Sequence, residues 1–193
     1  MACWAGPLVA AAVRLDCDRL DADAVARLEH LNSSKKVTAA RRAALVPVLL
    51  EVLDMVAFVA IPAAQIDRDG PDVCNMLALS RALDAVAAPG SVSLVDGQQR
   101  KGVLVPAEWI VRGDETSAAI AAASILAKEM RDDLMRRLDT AYRGYGFAQH
   151  KGYGTPQHEA SLIKHGPCQA HRRSYLCKVY RRLGVDSPAD LDC

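Results

Sequence analysis

The chain has 193 residues, 51% hydrophobic and 24% charged, and its 24 Lys and Arg nearly balance 23 Asp and Glu for a formal net charge of +1. A single domain of this size buries a sufficient core without disulfides or metals. The longest runs without a charged residue, at 1–13, 55–66 and 116–127, are shorter than the about 20 residues of a membrane-spanning helix, which excludes a membrane protein.

Apolar patterning and helix-boundary residues predict a mixed α/β domain followed by a helical C-terminal region. Strands are predicted at residues 8–15, 55–61, 91–96 and 108–112. Helices are predicted at residues 24–31, 39–53, 72–87, 116–142, 156–165 and 174–183. Thr38 and Thr155 are the expected N-caps of two of these helices, because a threonine oxygen accepts from the first free backbone N–H groups.

Cysteines and histidines do not form a metal or thiol motif. The six cysteines lack a C-x-x-C pair, which predicts reduced thiols in a cytosolic protein. His158 and His165 lie seven residues apart on one predicted helix without partners for a tetrahedral zinc site, so we assign them to the surface or to phosphate contact. An unrelated thiol or zinc enzyme is the weakest alternative, and it predicts sensitivity to alkylation or chelation.

Positive charge is concentrated in one part of the chain. Residues 128–183 contain 12 basic and 5 acidic side chains, a net charge of +7, together with four of the five histidines. Basic residues interleaved with aromatic ones are typical of a surface that binds a polyanion such as nucleic acid. An ordinary solvated face has the same composition, so both interpretations stay open on charge alone.

Two aspartates stand where predicted strands end. Asp96 follows the strand-like Ser-Val-Ser-Leu-Val, and Asp114 follows Ile-Val-Arg-Gly. A carboxylate at the rim of a sheet is a common place for a metal ligand. An Asp beside a Gly is also a frequent turn, so a metal site and a pair of turns are both consistent with these residues.

The helix predicted after Asp114 has an apolar stripe and a polar one. The apolar stripe is expected to face the core and contains Ile120, Ala123, Ala127, Met130, Leu134 and Leu138. The polar stripe contains Ser117, Ser124, Lys128 and Arg131. Hydroxyl and cationic groups beside carboxylates suit a phosphate, whereas a solvated face with a Lys128–Asp132 pair explains them equally well.

Several longer motifs resemble bacterial ribonuclease HII, in order and at similar spacing, over residues 4–183. The most specific is Tyr-Gly-Phe-Ala-Gln-His-Lys-Gly-Tyr-Gly-Thr-Pro at 145–156. The others are Ala-Gly-Pro-Leu-Val-Ala-Ala-Ala-Val at 5–13, Ser-Lys-Lys at 34–36 followed by Thr38, Val-Asp-Gly at 95–97, Gly-Asp at 113–114, Ala-Ala-Ala-Ser-Ile-Leu-Ala-Lys at 121–128 with Arg-Asp at 131–132, His-Gly-Pro at 165–167 and His-Arg-Arg-Ser at 171–174.

The resemblance implies a fold and an activity. The fold is RNase H-like, with a mixed five-stranded sheet flanked by helices, a core over residues 1–142 and a C-terminal helical extension over residues 143–193 that binds substrate within the same compact domain. The activity is endonucleolytic cleavage of RNA in RNA–DNA hybrids, including single ribonucleotides embedded in DNA, leaving a 5′-phosphate and a 3′-hydroxyl. Two divalent cations, Mg²⁺ or Mn²⁺, would assist the hydrolysis.

The resemblance also assigns roles to residues by position. Asp96 and Asp114 are the catalytic, metal-binding carboxylates, and Tyr153 packs on the sugar at the RNA–DNA junction. The expected contacts with the substrate backbone come from Lys35, Lys36, Ser124, Lys128, Lys151, Arg172 and Arg173. We expect a cytoplasmic monomer whose partner is an RNA–DNA hybrid or ribonucleotide-containing duplex DNA, with no membrane and no obligate protein partner.

The sequence departs from the family pattern in two places. An Asp-Glu pair and a Gly-Arg-Gly turn normally precede the segment that begins here at Cys3, and Ser33 replaces an Asp. We therefore expect a missing central strand and little or no incision by these 193 residues. A start at an internal methionine of an ordinary ribonuclease HII is one explanation; a catalytically silent hybrid-binding protein is the other. The in-frame upstream DNA distinguishes the two.

Overall fold

A computed structural model describes residues 3–29, 31, 37–99, 106–189 and 191. The strands are β1 (Leu8–Arg14), β2 (Met55–Ile61), β3 (Leu94–Asp96) and β4 (Glu108–Ile110). The helices are α1 (Ala22–Glu29), α2 (Ala39–Val52), α3 (Ala63–Asp69), α4 (Pro71–Val86), α5 (Gly113–Thr116), α6 (Ala118–Ala141), α7 (Phe147–His150), α8 (Pro156–His165) and α9 (Arg173–Leu183), with a 3₁₀ turn at Cys17–Arg19.

The helix starts predicted from threonine are confirmed. Thr38 Oγ1 accepts from the backbone N–H of Arg41 at 3.3 Å at the start of α2. Thr155 Oγ1 accepts from the backbone N–H of His158 at 3.3 Å, and Pro156 occupies the first position of α8. Both threonines thus satisfy an N–H group that has no partner inside its helix.

Short elements were not predicted from the sequence. The 3₁₀ turn and helices α3, α5 and α7 span seven residues or fewer, which is too short for a 3.6-residue periodicity to emerge. Strands β3 and β4 are likewise shorter than predicted, with three residues each. Of the long elements, β2 and α8 have the predicted bounds, and the others begin and end within two residues of them.

The α/β class is confirmed, and strand pairing among the described residues occurs in two two-stranded sheets. One sheet joins β1 and β2. The other joins β3 and β4 in parallel, with Leu94 opposite Glu108, Val95 opposite Trp109 and Asp96 opposite Ile110. The five-stranded mixed sheet implied by the resemblance is thus not present as one ladder in this part of the chain.

The chain divides into two compact units. Unit 1 contains Met1–Leu8, Ile61–Cys74 and Arg131–Cys193, and unit 2 contains Val9–Ala60 and Asn75–Met130. The core of unit 2 is formed by Leu28, Leu49, Leu53, Ala122, Ile125 and Leu126. Unit 1 has two core clusters, which are formed by Trp4, Leu162, Leu176, Val179, Tyr180 and Leu191 and by Ala5, Met135, Tyr145, Phe147 and Ala170. The predicted boundary at residue 142 stays a prediction.

The buried face of α6 differs from the predicted apolar stripe. Fully buried apolar residues of this helix are Ile120, Ala121, Ala122, Ile125, Leu126 and Met135. Of these only Ile120 belongs to the predicted stripe, whose other members are half-buried. The prediction holds for Ile120, which is buried, and for Leu138, which packs against a core cluster. Between them the most buried face differs, because residues 118–127 are almost entirely apolar and more than one face fits a helical repeat.

The cysteines differ in oxidation state. Cys3, Cys17, Cys74 and Cys168 carry free thiols, whereas Cys177 is bonded in a disulfide. The prediction that all six cysteines are reduced was therefore wrong for Cys177, because spacing in the sequence does not report which thiols meet in the fold.

In the described part of the chain, we find no helix with the length and apolarity needed to cross a bilayer.

Candidate active site

The two predicted carboxylates are linked through one backbone group in unit 2. Asp96 is the last residue of β3 and is exposed, and its Oδ1 accepts a hydrogen bond of 2.8 Å from the backbone N–H of Gly113. The backbone N–H of Gly97 donates to the carbonyl oxygen of Ile110 at 2.9 Å. Because β3 and β4 are parallel, their carboxyl ends lie at the same edge, and these two bonds tie the residues that follow them together.

A tight turn after β4 places the second carboxylate. Arg112 adopts the left-handed conformation with φ of 57°. A Cβ at Gly113 would lie 2.5 Å from Cδ1 of Ile120 and 3.3 Å from Cβ of Ile110, so only glycine fits there without displacement. Asp114 follows directly, in the first turn of α5, and is 8% exposed. Thus the predicted pair is brought to one sheet edge.

The chemistry of this edge is that of hard oxygen ligands. Mg²⁺ typically binds to one or two carboxylates and completes its coordination with waters and substrate phosphate oxygens. Asp96, which is exposed, and Asp114, which follows the turn bonded to Asp96, could supply the one or two carboxylates that Mg²⁺ requires. Among the described residues, no set of three or more His, Cys, Asp or Glu side chains is grouped closely enough to hold a metal ion by itself.

The predicted phosphate contacts of unit 2 lie partly within the described chain. Ser124 and Lys128 are both half-buried on α6, and both already interact with other groups of the protein. Lys35 and Lys36 lie outside the described residues. The roles of these four residues in substrate binding stay predictions.

Tyr153 in unit 1 is 37% exposed and lies over an arginine. The guanidinium carbon of Arg131 is 5.6 Å from the centre of the Tyr153 ring, within the range of a cation–π interaction. Arg131 also donates to the carbonyl oxygens of Pro7 and Ala5 at 3.2 and 3.3 Å and to Sγ of Cys3 at 2.7 Å. The sequence placed Arg131 on a polar stripe that suits either a phosphate or a solvated face, whereas the structure shows it supporting Tyr153 and the N-terminal segment.

The residues before β1 pair with the loop that carries Tyr153. Trp4 donates its backbone N–H to the carbonyl oxygen of Gly152 at 2.8 Å, and its own carbonyl accepts from the backbone N–H of Arg172 at 2.7 Å. A Cβ at Gly152 would overlap the carbonyl oxygen of Ala5. Glycine in the predicted motif therefore permits two backbone segments to approach closely.

The three remaining basic residues have different surroundings. Lys151 has a left-handed backbone with φ of 52°, and its Nζ donates to the carbonyl of Ala148 at 2.6 Å. Arg172 is buried and donates to the carbonyls of Gly6 and Pro7 at 3.1 and 3.3 Å. Arg173 begins α9, and its backbone N–H donates to Oδ2 of Asp67 at 2.8 Å.

Asp67 is a structural residue that the sequence reasoning missed. Its carboxylate accepts from the backbone N–H groups of Arg173 and Ser174 at 2.8 and 3.0 Å and from the Ser174 hydroxyl at 2.5 Å. A carboxylate at a helix N-terminus satisfies free N–H groups and complements the helix dipole. No local signal could identify it, because the cap lies more than 100 residues away in sequence.

Three of the four histidines of unit 1 are buried, which corrects the assignment of His158 to the surface. His150, His158 and His171 are 7%, 0% and 1% exposed. Burial lowers the pKa of His158 to about 4 and that of His171 to about 3, and it also lowers the pKa of His150. His165 is exposed as predicted. Helical spacing placed His158 and His165 on one face, but neighbouring loops cover only one of them.

Solved structures match this architecture. The crystal structure of the ribonuclease H2 from Pyrococcus horikoshii has a TM-score of 0.74 and 20% identity, over 95% of this chain and 94% of that one. The ribonuclease HII in a structure of its complex with PCNA, from Archaeoglobus fulgidus, has a TM-score of 0.69 and 20% identity, over 90% of this chain and 89% of that one. Similarity at this level of identity establishes the fold.

Sequence comparison identifies the family. The ribonuclease HII family model matches residues 2–178. A ribonuclease HII from Nocardia farcinica is 44% identical over 181 residues, which are 94% of this chain and 70% of that protein. One from Salinispora tropica is 43% identical over 172 residues, 89% of this chain and 62% of that protein. The chain thus spans 62 to 70% of the length of these relatives. The chain belongs to the ribonuclease HII family, a family of ribonuclease hydrolases.

Proposed function

We propose that the chain is an endoribonuclease that hydrolyses RNA in RNA–DNA hybrids and at single ribonucleotides embedded in DNA, leaving 5′-phosphate and 3′-hydroxyl ends. Membership of the ribonuclease HII family supports the reaction class. The observation that carries the assignment of the site is the hydrogen bond of 2.8 Å from Gly113 to Asp96. This bond ties Asp96 to the turn that precedes Asp114, at the edge of the parallel pair of strands.

Asp96 and Asp114 are the proposed ligands of divalent cations. The proposed site binds two such ions, Mg²⁺ or Mn²⁺. Carboxylate oxygens match the preference of both ions. When bound, such ions lower the pKa of a water and stabilise charge on the leaving 3′ oxygen. Asp114 is buried and follows a sterically fixed turn, so its carboxylate is held in place before substrate arrives. The link to Gly113 limits the movement of Asp96 in the same way.

Tyr153 is the proposed contact with the sugar at the RNA–DNA junction. Its ring is exposed on one side and supported by Arg131 on the other, which suits stacking against a flat or apolar surface of the substrate. The 2′-hydroxyl is the group that distinguishes RNA from DNA at this position. Recognition of a ribonucleotide therefore requires contacts close to this ring.

Basic side chains are the proposed contacts with the phosphate backbone. The basic residues proposed for this role are Lys35, Lys36, Lys128, Lys151 and Arg173, and the hydroxyl of Ser124 is a further proposed contact. The guanidinium of Arg172 is buried against the carbonyls of Gly6 and Pro7. We assign Arg172 to holding the N-terminal segment against the substrate-binding loop, where it would act on binding indirectly.

The proposal is tested with three labelled duplexes, an RNA–DNA hybrid, a DNA duplex with one ribonucleotide, and the matching all-DNA duplex. Binding is measured in the same samples as incision, so that recognition of the ribonucleotide and its hydrolysis are observed separately. We expect tighter binding of the two ribonucleotide-containing duplexes. Any incision should occur beside a ribonucleotide, require Mg²⁺ or Mn²⁺, and disappear with EDTA and in Asp96→Asn and Asp114→Asn.

Two outcomes separate the candidates. Equal binding of all three duplexes without incision contradicts the proposal. Preferential binding of the hybrid without incision supports a catalytically silent hybrid-binding protein. As a matched control for the aspartates, Asp72→Asn changes a carboxylate in the first turn of α4, and we expect it to bind and incise like the unmodified chain.

A further inference from the structure

Three buried histidines of unit 1 form a hydrogen-bonded group around Tyr153. His158 Nε2 lies 3.0 Å from Nε2 of His171, and His158 Nδ1 lies 3.0 Å from the carbonyl oxygen of Tyr153. His150 stacks on His158 with ring centres 4.2 Å apart. Its Nε2 lies 2.7 Å from the carbonyl oxygen of Tyr145, and its Nδ1 accepts from the backbone N–H of Gly152 at 3.1 Å.

Fixed backbone partners determine which nitrogen of each ring carries the proton. A carbonyl oxygen only accepts, so His158 must donate to Tyr153 from Nδ1. Neutral His158 then accepts at Nε2, and His171 must donate to it from its own Nε2. His171 in turn accepts at Nδ1, which matches the backbone N–H of Cys168 at 2.9 Å. The longer contact of His171 Nδ1, 3.3 Å from the carbonyl oxygen of Cys168, is then not a hydrogen bond, because both atoms are acceptors. The other contacts of the three rings agree with one set of neutral tautomers.

The same reasoning applies to His150, which donates from Nε2 to Tyr145 and accepts at Nδ1 from Gly152. A second proton on any of the three rings would bring two N–H groups face to face. Groups packed around the rings are mostly uncharged, namely Trp4, Tyr145, Phe147 and Cys168. The acidic group acting on the set is Asp139, whose charge favours protonation of His150 but is outweighed by burial.

The backbone held by this group flanks the exposed ring on both sides. His150 binds the N–H of Gly152, immediately before Tyr153, and His158 binds the carbonyl of Tyr153 itself. Tyr153 also donates its backbone N–H to the carbonyl of His150 at 2.9 Å. With both peptide groups fixed, the direction in which the side chain leaves the backbone is fixed as well.

We propose that His150, His158 and His171 are positioning residues that act through Tyr153, holding its ring in the orientation in which it meets the ribonucleotide. This inference rests on the proposed function, because it takes Tyr153 as the residue that contacts substrate. The histidines themselves make no contact with substrate. Their contribution is a neutral hydrogen-bonded chain that extends from Cys168 through His171 and His158 to Tyr153.

The tautomers are tested directly by long-range ¹H–¹⁵N NMR of the imidazole rings in the unmodified protein at pH 7. We expect the proton on Nδ1 of His158 and on Nε2 of His150 and His171. A ring with the opposite tautomer, or one that is protonated at pH 7, overturns the proposal. This measurement does not depend on substrate, so it is decisive even if the proposed function fails.

The action through Tyr153 is tested by binding of a fluorescent duplex with one ribonucleotide, measured by anisotropy in EDTA. Because stacking on an aromatic ring contributes substantially to affinity, Tyr153→Ala is expected to weaken binding roughly tenfold. His158→Gln removes the donor that faces the Tyr153 carbonyl and is expected to approach the same loss. His158→Asn places an amide N–H near the position of Nδ1 and should retain most of the affinity.

A double-mutant cycle decides whether the histidine acts through the tyrosine. If it does, Tyr153→Ala combined with His158→Gln binds no more weakly than Tyr153→Ala alone. Additive losses, or an unchanged affinity in a folded His158→Gln variant, overturn the inference and leave the proposed function intact. An unchanged affinity in Tyr153→Ala contradicts the substrate role of Tyr153, and the positioning role with it. Ile163→Ala, at a 55% exposed position of α8, is the matched control and should bind normally.

Discussion

Gly113 donates its backbone N–H to Oδ1 of Asp96 at 2.8 Å, so one carboxylate oxygen both braces the sheet edge and belongs to the proposed metal site. Asp96→Asn retains an oxygen that can accept this bond but loses the negative charge. We expect normal stability in this variant and a loss of any metal-dependent incision of at least about a hundredfold, because charge stabilisation by a metal contributes several kcal/mol.

Asp96→Ala separates the two roles, since it also removes the acceptor. Its free energy of unfolding should fall by about 1 kcal/mol relative to Asp96→Asn, which is typical of a lost hydrogen bond. Urea unfolding and the incision assay measure the two effects independently. Equal stabilities would mean that the bond to Gly113 contributes nothing, and full incision by either variant would exclude Asp96 as a metal ligand.

Arg131 and Tyr153 provide a second prediction about the substrate-binding loop. Arg131→Lys keeps a positive charge but cannot reproduce the bonds to Ala5, Pro7 and Cys3, which approach a planar guanidinium from several directions. We expect the free energy of unfolding to fall by about 1 to 3 kcal/mol and ribonucleotide-duplex binding to weaken. Thermal unfolding and anisotropy measure these changes.

Tyr153→Phe is the control for Arg131→Lys. It retains the ring that lies over Arg131, so its stability should stay within about 0.5 kcal/mol of the unmodified protein. A loss of stability in Tyr153→Phe as large as that in Arg131→Lys would show that the hydroxyl, and not the ring over the guanidinium, stabilises this contact.

Local signals predicted the long elements of the fold well. Thr38 and Thr155 marked helix starts because the cap and its partner lie within three residues of each other. The predicted bounds of strand β2 are confirmed, because a continuous apolar run ends at Pro62. Each of these features is determined by residues that are close together in the sequence, so a local sequence pattern is sufficient to predict it.

Distant contacts decided the features that the sequence could not predict. Arg131 and Arg172 look like phosphate ligands in a basic stretch, yet both bind carbonyls of residues 5 to 7. His158 looks like a surface residue until Tyr153 and His171 are packed against it. The joining of Asp96 to the turn before Asp114 was likewise visible only once β3 and β4 paired.

The buried histidines predict how stability depends on pH. Burial lowers the folded-state pKa of His158 to about 4 and of His171 to about 3, below the ordinary value of about 6.5 in the unfolded chain. The unfolded chain thus binds more protons below pH 6.5. Stability should be full above about pH 6.5 and decrease as the pH falls toward 4, by about 1 kcal/mol per pH unit for each histidine.

Urea unfolding at pH 7, 6, 5 and 4.5 measures this dependence, with His158→Asn as the comparison. That variant removes one of the titrating groups, so its loss of stability between pH 6.5 and 4.5 should be smaller by the contribution of one histidine. The same slope in both proteins would show that His158 takes up no extra proton on unfolding.

Alanine substitutions at Gly152 and Gly166 test whether the N-terminal segment lies close to the Tyr153 loop, with Gly166 as the control. Both have positive φ, of 78° and 71°. A Cβ at Gly152 would overlap the Ala5 carbonyl, whereas one at Gly166 meets nothing within 4 Å. Gly166, with φ of 71° and ψ of −176°, has a backbone conformation that is nearly restricted to glycine. Gly166→Ala should therefore cost only the backbone strain of about 1 to 3 kcal/mol. Gly152→Ala must also separate two hydrogen-bonded segments, so its unfolding free energy should fall by at least about 2 kcal/mol more. Equal losses in thermal unfolding would mean that the two segments are not in close contact.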